Sequence, residues 1–313
     1  MEKNYDIVII GGGPAGISAG IYASRAGRSV LIIEKYAPGG QLSLIGQIEN
    51  YAGFKSINGY ELAVKFEEHA KSLGIEFCID EVVNITKSRG DFLIKTLQTK
   101  ICAKSVVLAL GCHSRPLNIE GEEQLKGKGV SYCALCDGNF FKNKTVAVVG
   151  SGDSAFSDAI YLSSLCKQVY VLTKNNLKLH NYSEDELDDK TNVKILKGAI
   201  SKKILGKDYV QKLTFEKNGI MTNIDVDGVF VAIGRVPDTK FLKDFIELTD
   251  GGYIKSNDQM ETSQAGVFVC GDVREGSIRQ IATAVGDGAI AGTNASKYAL
   301  KRSITNQKKE QVL

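Results

Sequence analysis

The chain has 313 residues, 43% of them hydrophobic, which at roughly 150 residues per domain is material for about two globular domains and excludes a tail or linker. Lys and Arg total 39 against 36 Asp and Glu, a net charge of +3, too small a bias to call for nucleic acid or a membrane surface. The seven Cys are scattered, unlike a small secreted disulfide scaffold, and 33 Gly against only 4 Pro point to specific tight turns.

Met1 to Asp6 carry no signal-peptide pattern and no apolar run reaches membrane-span length, so a soluble cytoplasmic protein is expected. Asp6 to Ile10 reads as a strand, Gly11-Gly12-Gly13-Pro14-Ala15-Gly16 as a turn, and the Ala-rich stretch to Ala26 as a helix. A strand from Ser29 to Ile33 ends in Glu34 and completes a βαβ unit. Glu81 to Leu97 alternates like antiparallel strands, and Ile101 to Leu110 is a buried-type strand ending at Gly111. The opening pattern then returns: strand Thr145 to Val149, turn Gly150-Ser151-Gly152-Asp153-Ser154-Ala155, a helix to Leu165 and a strand from Gln168 to Leu172. Val193 to Ile233 is strand-rich and ends, like the first half, in an apolar strand and a glycine, Gly234, so the chain holds a coarse internal repeat. Val267 to Asp272 is a last strand and turn, a helix runs from Ile281 to about Ala299, and the basic tail from Lys301 onward is expected to fray.

Gly11, Gly13 and Gly16 fill G-x-G-x-x-G: the first allows the tight turn, the second lets a pyrophosphate approach the backbone, and the third lets helix and strand pack closely. Glu34 is placed to accept from ribose hydroxyls and would repel a 2′-phosphate, so the ligand expected here is FAD or NAD. Gly271-Asp272 follows a strand, where the Asp can bond a ribityl chain, and Arg279-Gln280-Ile281 opens a helix toward a flavin. A two-part cofactor such as FAD would need both sites. Cys133-Ala134-Leu135-Cys136-Asp137 is C-x-x-C, a spacing at which two thiols close a small disulfide ring and exchange electrons in pairs, with Asp137 near enough to move a proton. The other use of C-x-x-C is half a zinc site; no second pair exists and the His are only 69, 113 and 180, so no metal is expected.

These motifs together resemble the low-molecular-weight thioredoxin reductases along nearly the whole chain. The matching residues are Gly11 to Gly16, Gly39-Gly40-Gln41-Leu42, Glu49-Asn50-Tyr51, Ala109-Leu110-Gly111, Cys133 to Gly138, and Cys270-Gly271-Asp272-Val273-Arg274 with Arg279-Gln280. The resemblance implies an α/β fold of two Rossmann-like, three-layer dinucleotide-binding domains. It divides the chain into a discontinuous FAD domain, 1–116 and 245–313, and a central NAD(P)H-like domain, 117–244, that carries the dithiol. It implies a homodimer that reduces thioredoxin. The positions expected to bind FAD are Gly11, Gly13, Pro14, Ala15, Gly16, Glu34, Gly40, Gln41, Asn50, Gly271, Asp272, Arg279, Gln280 and Ile281. Cys136 is assigned nearer the flavin, Cys133 attacks the thioredoxin disulfide, and Asp137 protonates a leaving thiolate.

The pattern fails where that family grips the 2′-phosphate of NADPH with H-R-R-x-x-x-R. Thr173 stands as far from Gly150 as Glu34 from Gly11, so the corresponding run is Thr173-Lys174-Asn175-Asn176-Leu177-Lys178-Leu179. Both later arginines are replaced, by Asn175 and Leu179; at roughly 1.5 to 3 kcal/mol per charge-assisted hydrogen bond the loss disfavours NADPH, although Lys174 and Lys178 recover part of it. Thr173 is no acid either, so NADH is not evidently favoured, and a nicotinamide nucleotide held differently by Gly150, Gly152 and Ala155 stays open. In this respect the chain resembles ferredoxin-dependent flavin thioredoxin reductases, which implies reduced ferredoxin as donor. Lys301, Arg302, Lys308 and Lys309 are candidates for steering an acidic ferredoxin. The alternatives are an NADPH-dependent thioredoxin reductase, an FAD-binding protein with an idle dithiol, a flavin oxidase, or a peroxiredoxin reductase, which usually needs an additional region.

Overall fold

The computed structural model describes residues 3–310 except 89, 180, 181, 185 and 187–189, so His180 lies outside the described residues. The chain divides into two compact units, Met1–Cys112 with Pro237–Leu313, and His113–Val236. These junctions precede the expected 116/117 by four residues and the expected 244/245 by eight. No helix among the described residues is long and apolar enough to cross a membrane.

The discontinuous unit is built on Lys3–Ile10, with Val30–Glu34 parallel on one side and Lys100–Leu108 parallel on the other. Glu76–Ile79 extends the edge next to Val30–Glu34. Lys100–Leu108 divides its far edge between antiparallel Asp91–Thr96 and parallel Val267–Val269, and Val82–Ser88 pairs with Asp91–Thr96. Alternation along the β-branched first strand decides the faces: Ile7 and Ile9 point to one core, Val8 and Ile10 to the other. The Ile7 face is covered by the helices Pro14–Arg25 and Ile281–Glu310, the Val8 face by Phe92, Ile94, Leu242, Ile246 and Ile254. Such a strand, buried on both faces, reads as a continuous apolar run because neither side meets water.

The two helices touch backbone to backbone. A β-carbon on Gly288 would stand 2.2 Å from the Ala15 carbonyl oxygen, and one on Gly292 would stand 2.2 Å from that of Ala19. Ser18 donates its hydroxyl to the Val285 carbonyl at 2.8 Å within the same contact. The closing helix does not end near Ala299: it continues to Glu310, so the expected frayed tail is helical. Arg302 pairs with Asp91 at 3.1 Å and Ser303 receives the Lys104 ammonium at 2.8 Å, which fastens this last stretch to the sheet. A helix at Gly59–Ser72, passed over in the sequence reading, begins where the Asn58 side chain accepts from the N–H groups of Tyr60 and Glu61.

The continuous unit repeats the plan. Thr145–Val149 lies between parallel Gln168–Thr173 and Gly228–Val231, with Val193–Lys197 and Val130–Ser131 at the edges. The helix Asp153–Ser163 follows the first strand, and Ile200–Leu205, Lys212–Lys217 and Ile220–Asp225 form a separate antiparallel sheet. The repeat read from the two glycine turns is thus a repeat of sheet order.

The glycine contact makes a stability prediction. Gly292→Val should lower the thermal unfolding midpoint, through an overpacking cost of about 1 to 3 kcal/mol. Gly286→Ala, where an added β-carbon meets nothing within 4 Å, should be neutral or stabilise by up to about 1 kcal/mol. Equal losses in both variants would contradict the backbone-to-backbone contact.

Candidate functional site

The first glycine turn is shaped by collisions that only glycine avoids. Gly11 has φ +107° and a β-carbon there would lie 2.2 Å from the Ala109 carbonyl oxygen, while one on Gly16 would lie 1.9 Å from that of Gly11. At Gly13 nothing lies within 4 Å. Two glycines therefore make the turn and the middle one leaves open space, where a phosphate can approach the main chain. Pro14 begins the helix, Gly13 caps it without a side-chain bond, and its first turn holds no acid, so the N–H groups there keep their donor capacity for an anion. Glu34 accepts from Gly12 N–H at 2.7 Å with one carboxylate oxygen and from Tyr36 N–H at 3.0 Å with the other. Each oxygen retains a lone pair for a hydroxyl.

The remaining cradle residues arrive from distant parts of the same unit. Gly39 donates to the Gly12 carbonyl at 2.7 Å, Gly40 packs on Gly13, and Gln41 donates its amide to the Cys112 carbonyl. Gly271, φ +76°, lies so close to Ala15 that a β-carbon would come within 2.8 Å of the alanine methyl. Asn50 donates to the Gln280 side-chain oxygen at 3.1 Å, just ahead of the helix that opens at Ile281. Asp272 follows Gly271 in a short 3-10 turn. Arg279 has φ +62°, sets its guanidinium 5.3 Å from the Tyr253 ring centroid, and buries an Nε that has no partner among the described residues. An open phosphate approach, uncapped helix donors and this orphaned Nε fit an extended dinucleotide. The sequence reading missed Asp287: buried, it accepts from Gly271 N–H at 3.2 Å and from Arg274 Nε at 3.1 Å, holding the Gly271 turn from beneath. A lone acid inside a Gly- and Ala-rich helix was its only signal.

Cys133 and Cys136 are joined as a disulfide, Cα to Cα 5.3 Å. Cys133 caps the four-residue helix Ala134–Asp137, and its sulfur accepts from the Cys136 N–H at 3.2 Å. Cys136 is exposed and Cys133 half-buried. Asp137 is half-buried; its carboxyl is pushed up by burial, against the opposing hydrogen bond from the Ser131 hydroxyl at 2.6 Å. That raised affinity for a proton suits an acid that must hold one and release it. Ser131, absent from the sequence reading, also accepts from Cys133 N–H at 3.1 Å and so links the acid to the first cysteine. No group of three or more His, Cys, Asp or Glu among the described residues could hold a metal ion.

The second glycine turn has the same steric core. A β-carbon on Gly150 would stand 2.3 Å from the Ala232 carbonyl oxygen, as Gly11 does against Ala109. Its approach differs. Lys178 N–H donates to the Ser151 carbonyl at 2.6 Å, and Leu177 and Leu179 pack on the core around Phe156. Thr173 is buried and gives its hydroxyl to the Asn175 carbonyl at 2.6 Å, so it faces its own chain. Asp158, on the helix after the turn, is pushed up to about 6 by burial, with Arg235 opposing.

The model of the pyridine nucleotide-disulphide oxidoreductase family matches residues 5–288, and the chain belongs to that family. Within it the similar chains of this size include low-molecular-weight thioredoxin reductases. A thioredoxin reductase from Bacillus subtilis is 39% identical over 95% of this chain and 95% of its own. A "34.2 kDa protein in rubredoxin operon" from Clostridium pasteurianum is 42% identical over 95% of this chain and 98% of its own. The crystal structure of thioredoxin reductase from Streptococcus pyogenes superposes with a TM-score of 0.91 at 39% identity, covering 96% of this chain and all of that one. A ferredoxin-flavin thioredoxin reductase from Clostridium acetobutylicum gives a TM-score of 0.54 at 33% identity, again over 96% and 100%.

The Asp158 carboxyl generates a pH prediction. Its folded value lies above the ordinary 3.8, so the stability it contributes is full below that value and is lost as pH rises through about 6. Asp158→Asn, which carries no charge to bury, should match wild type near pH 4 and be more stable at pH 8 by on the order of 2 to 3 kcal/mol. Unfolding midpoints at the two pH values measure this, and an equal difference at both would contradict it.

Proposed function

We propose that this chain reduces the disulfide of thioredoxin, with FAD held in the discontinuous unit and electrons arriving from reduced ferredoxin, in a cytoplasmic homodimer. The observation that carries the reading is the Cys133–Cys136 disulfide, exposed at Cys136, with Asp137 beside it, its carboxyl pushed up by burial. Gly11, Gly13, Pro14, Ala15, Gly16, Glu34, Gly40, Gln41, Asn50, Gly271, Asp272, Arg279, Gln280 and Ile281 would hold the cofactor. FAD held there would supply redox chemistry that takes up electrons singly and gives them up in pairs.

The protein's own groups do the exchange. Cys133 thiolate, stabilised by the Cys136 N–H, attacks one thioredoxin sulfur, forming a mixed disulfide and expelling the other sulfur as a thiolate. Asp137 gives that thiolate a proton. Cys136 then attacks Cys133 Sγ, which re-forms the internal disulfide and releases thioredoxin with both sulfurs reduced. We assign the attack to Cys133, although Cys136 is the more exposed, because the N–H bond falls on the Cys133 sulfur.

The ferredoxin assignment rests on Asn175 and Leu179, which offer a 2′-phosphate no guanidinium, and on Leu179 lying against the core. It is also supported by the ferredoxin-flavin enzyme among the solved relatives. The steering role of the tail is narrower than the sequence suggested, since Arg302 is engaged by Asp91; Lys301 is exposed, and the side chains of Lys308 and Lys309 lie outside the described residues. The intact Gly150 turn favours the second reading, NADPH as donor.

Cys133→Ser and Cys136→Ser should each abolish thioredoxin reduction while the purified protein keeps its flavin. Gly13→Val should instead lower bound flavin, because the valine fills the open approach. Flavin absorbance per chain and insulin-coupled thioredoxin turnover measure both. Full turnover in either cysteine variant would remove the dithiol from the mechanism, and unchanged flavin in Gly13→Val would move the cofactor elsewhere.

A further inference from the structure

Tyr132 stands directly before Cys133, at the point where the edge strand Val130–Ser131 gives way to the dithiol helix. Three groups grip it. Its hydroxyl donates to Glu122 Oε1 at 2.8 Å, its carbonyl accepts from Arg235 Nη2 at 3.2 Å, and the Lys126 ammonium lies 5.7 Å from its ring centroid.

Two of these groups lead to the two ends of the continuous unit. Glu122, 3% exposed, also accepts from the N–H groups of Leu117 and Asn118, each at 2.8 Å, so its carboxylate binds the entering chain and the tyrosine at once. Arg235 belongs to the leaving chain. There Arg235–Val236 pairs antiparallel with His113–Ser114, and Arg115 N–H donates to the Gly234 carbonyl at 3.0 Å. The entering and leaving segments thus form one ribbon, and each is tied to the residue ahead of Cys133.

A buried carboxylate that accepts three hydrogen bonds, one of them from a tyrosine, is a costly arrangement unless every partner is fixed. Burial and Glu122 both push the Tyr132 phenol up, so it stays a donor at all working pH values. Nothing in the exchange chemistry requires a tyrosine here, since the carbonyl that meets Arg235 would be supplied by any residue. Among the described residues the hydroxyl's partner is Glu122.

We propose that Tyr132 is a positioning residue: it fastens the Cys133 segment to the ribbon at the ends of the unit, and that fastening holds the Cys133 sulfur on the Cys136 N–H. The contact at stake is the 3.2 Å bond from Cys136 N–H to the Cys133 sulfur. When the segment slackens, that bond lengthens, the reduced Cys133 sulfur holds its proton more tightly, and nucleophilic attack slows at neutral pH. The proposal rests on reading the dithiol as redox-active, but not on which protein donates or receives the electrons.

The test uses the flavin-loaded protein, reduced with dithiothreitol and freed of it under nitrogen. Iodoacetamide then alkylates the cysteines across pH 5 to 9, each thiolate displacing one iodide, and fragment-ion mass spectrometry locates the label on Cys133 or Cys136. In Tyr132→Phe the Cys133 profile should move to higher pH, with alkylation at pH 7 about three- to tenfold slower, the scale of one lost hydrogen bond. Tyr5→Phe serves as the control: it deletes another tyrosine-to-carboxylate bond, to Glu76 at 2.8 Å, and should leave the Cys133 profile unchanged. Should Tyr132→Phe lose its fold, Glu122→Gln, which weakens the same link from the other side, is read in its place. An unchanged Cys133 profile, or equal shifts in Tyr132→Phe and Tyr5→Phe, overturns the proposal. A wild-type disulfide that cannot be reduced and re-formed overturns the redox reading and this proposal together.

Discussion

The approach of a carbonyl oxygen to a glycine Cα fixes both dinucleotide-type units. In one, Ala109 presses its oxygen where a Gly11 side chain would be; in the other, Ala232 does the same to Gly150. Each oxygen belongs to the residue just past the strand that closes its half, so the contact joins the first strand, the closing strand and the turn in one place. Once the turn is so tight, the helix must leave with its first N–H groups unpaired, and a phosphate is their natural partner. Beside that contact in the discontinuous unit, Gly13 is left with open space.

The units then diverge through what approaches the turn. In the discontinuous unit the neighbours are Gly40 and the Gly271 turn, both glycine and both close, and the orphaned Arg279 Nε belongs to the same unit. In the continuous unit the chain's own Lys178 backbone bonds across to Ser151, and Leu177 and Leu179 pack on the core around Phe156. One unit keeps the features of a dinucleotide cradle, and the other uses the same scaffold to carry a disulfide. Beside that disulfide, burial pushes the Asp137 carboxyl up, and the Cys136 N–H is directed at the Cys133 sulfur.

Legibility in the sequence follows the range of the interactions. Both βαβ units were readable because strand, glycine turn and helix are contiguous, as was the C-x-x-C pair. The place of Glu34 beside the turn was readable because its distance from the turn is fixed by one helix and one strand. Asp287 and Ser131 were not, because each acts by reaching a partner that only the fold brings near. The helix Gly59–Ser72 carried its own signals, an Asn cap and apolar residues at Leu62, Ala63, Phe66 and Ala70, which were passed over. The tail read as a polar run because its helical anchors, Asp91 and Lys104, lie far back in the chain.

The donor is the point at which this sequence departs from the pattern it otherwise resembles, at Asn175 and Leu179. Anaerobic thioredoxin reduction should be compared side by side with reduced ferredoxin, NADPH and NADH at equal reducing equivalents. The account predicts rapid turnover with ferredoxin, slowed by salt as charges are screened beyond about 10 Å at 0.1 M, and little with either nucleotide. Fast turnover with micromolar NADPH and none with ferredoxin would contradict it.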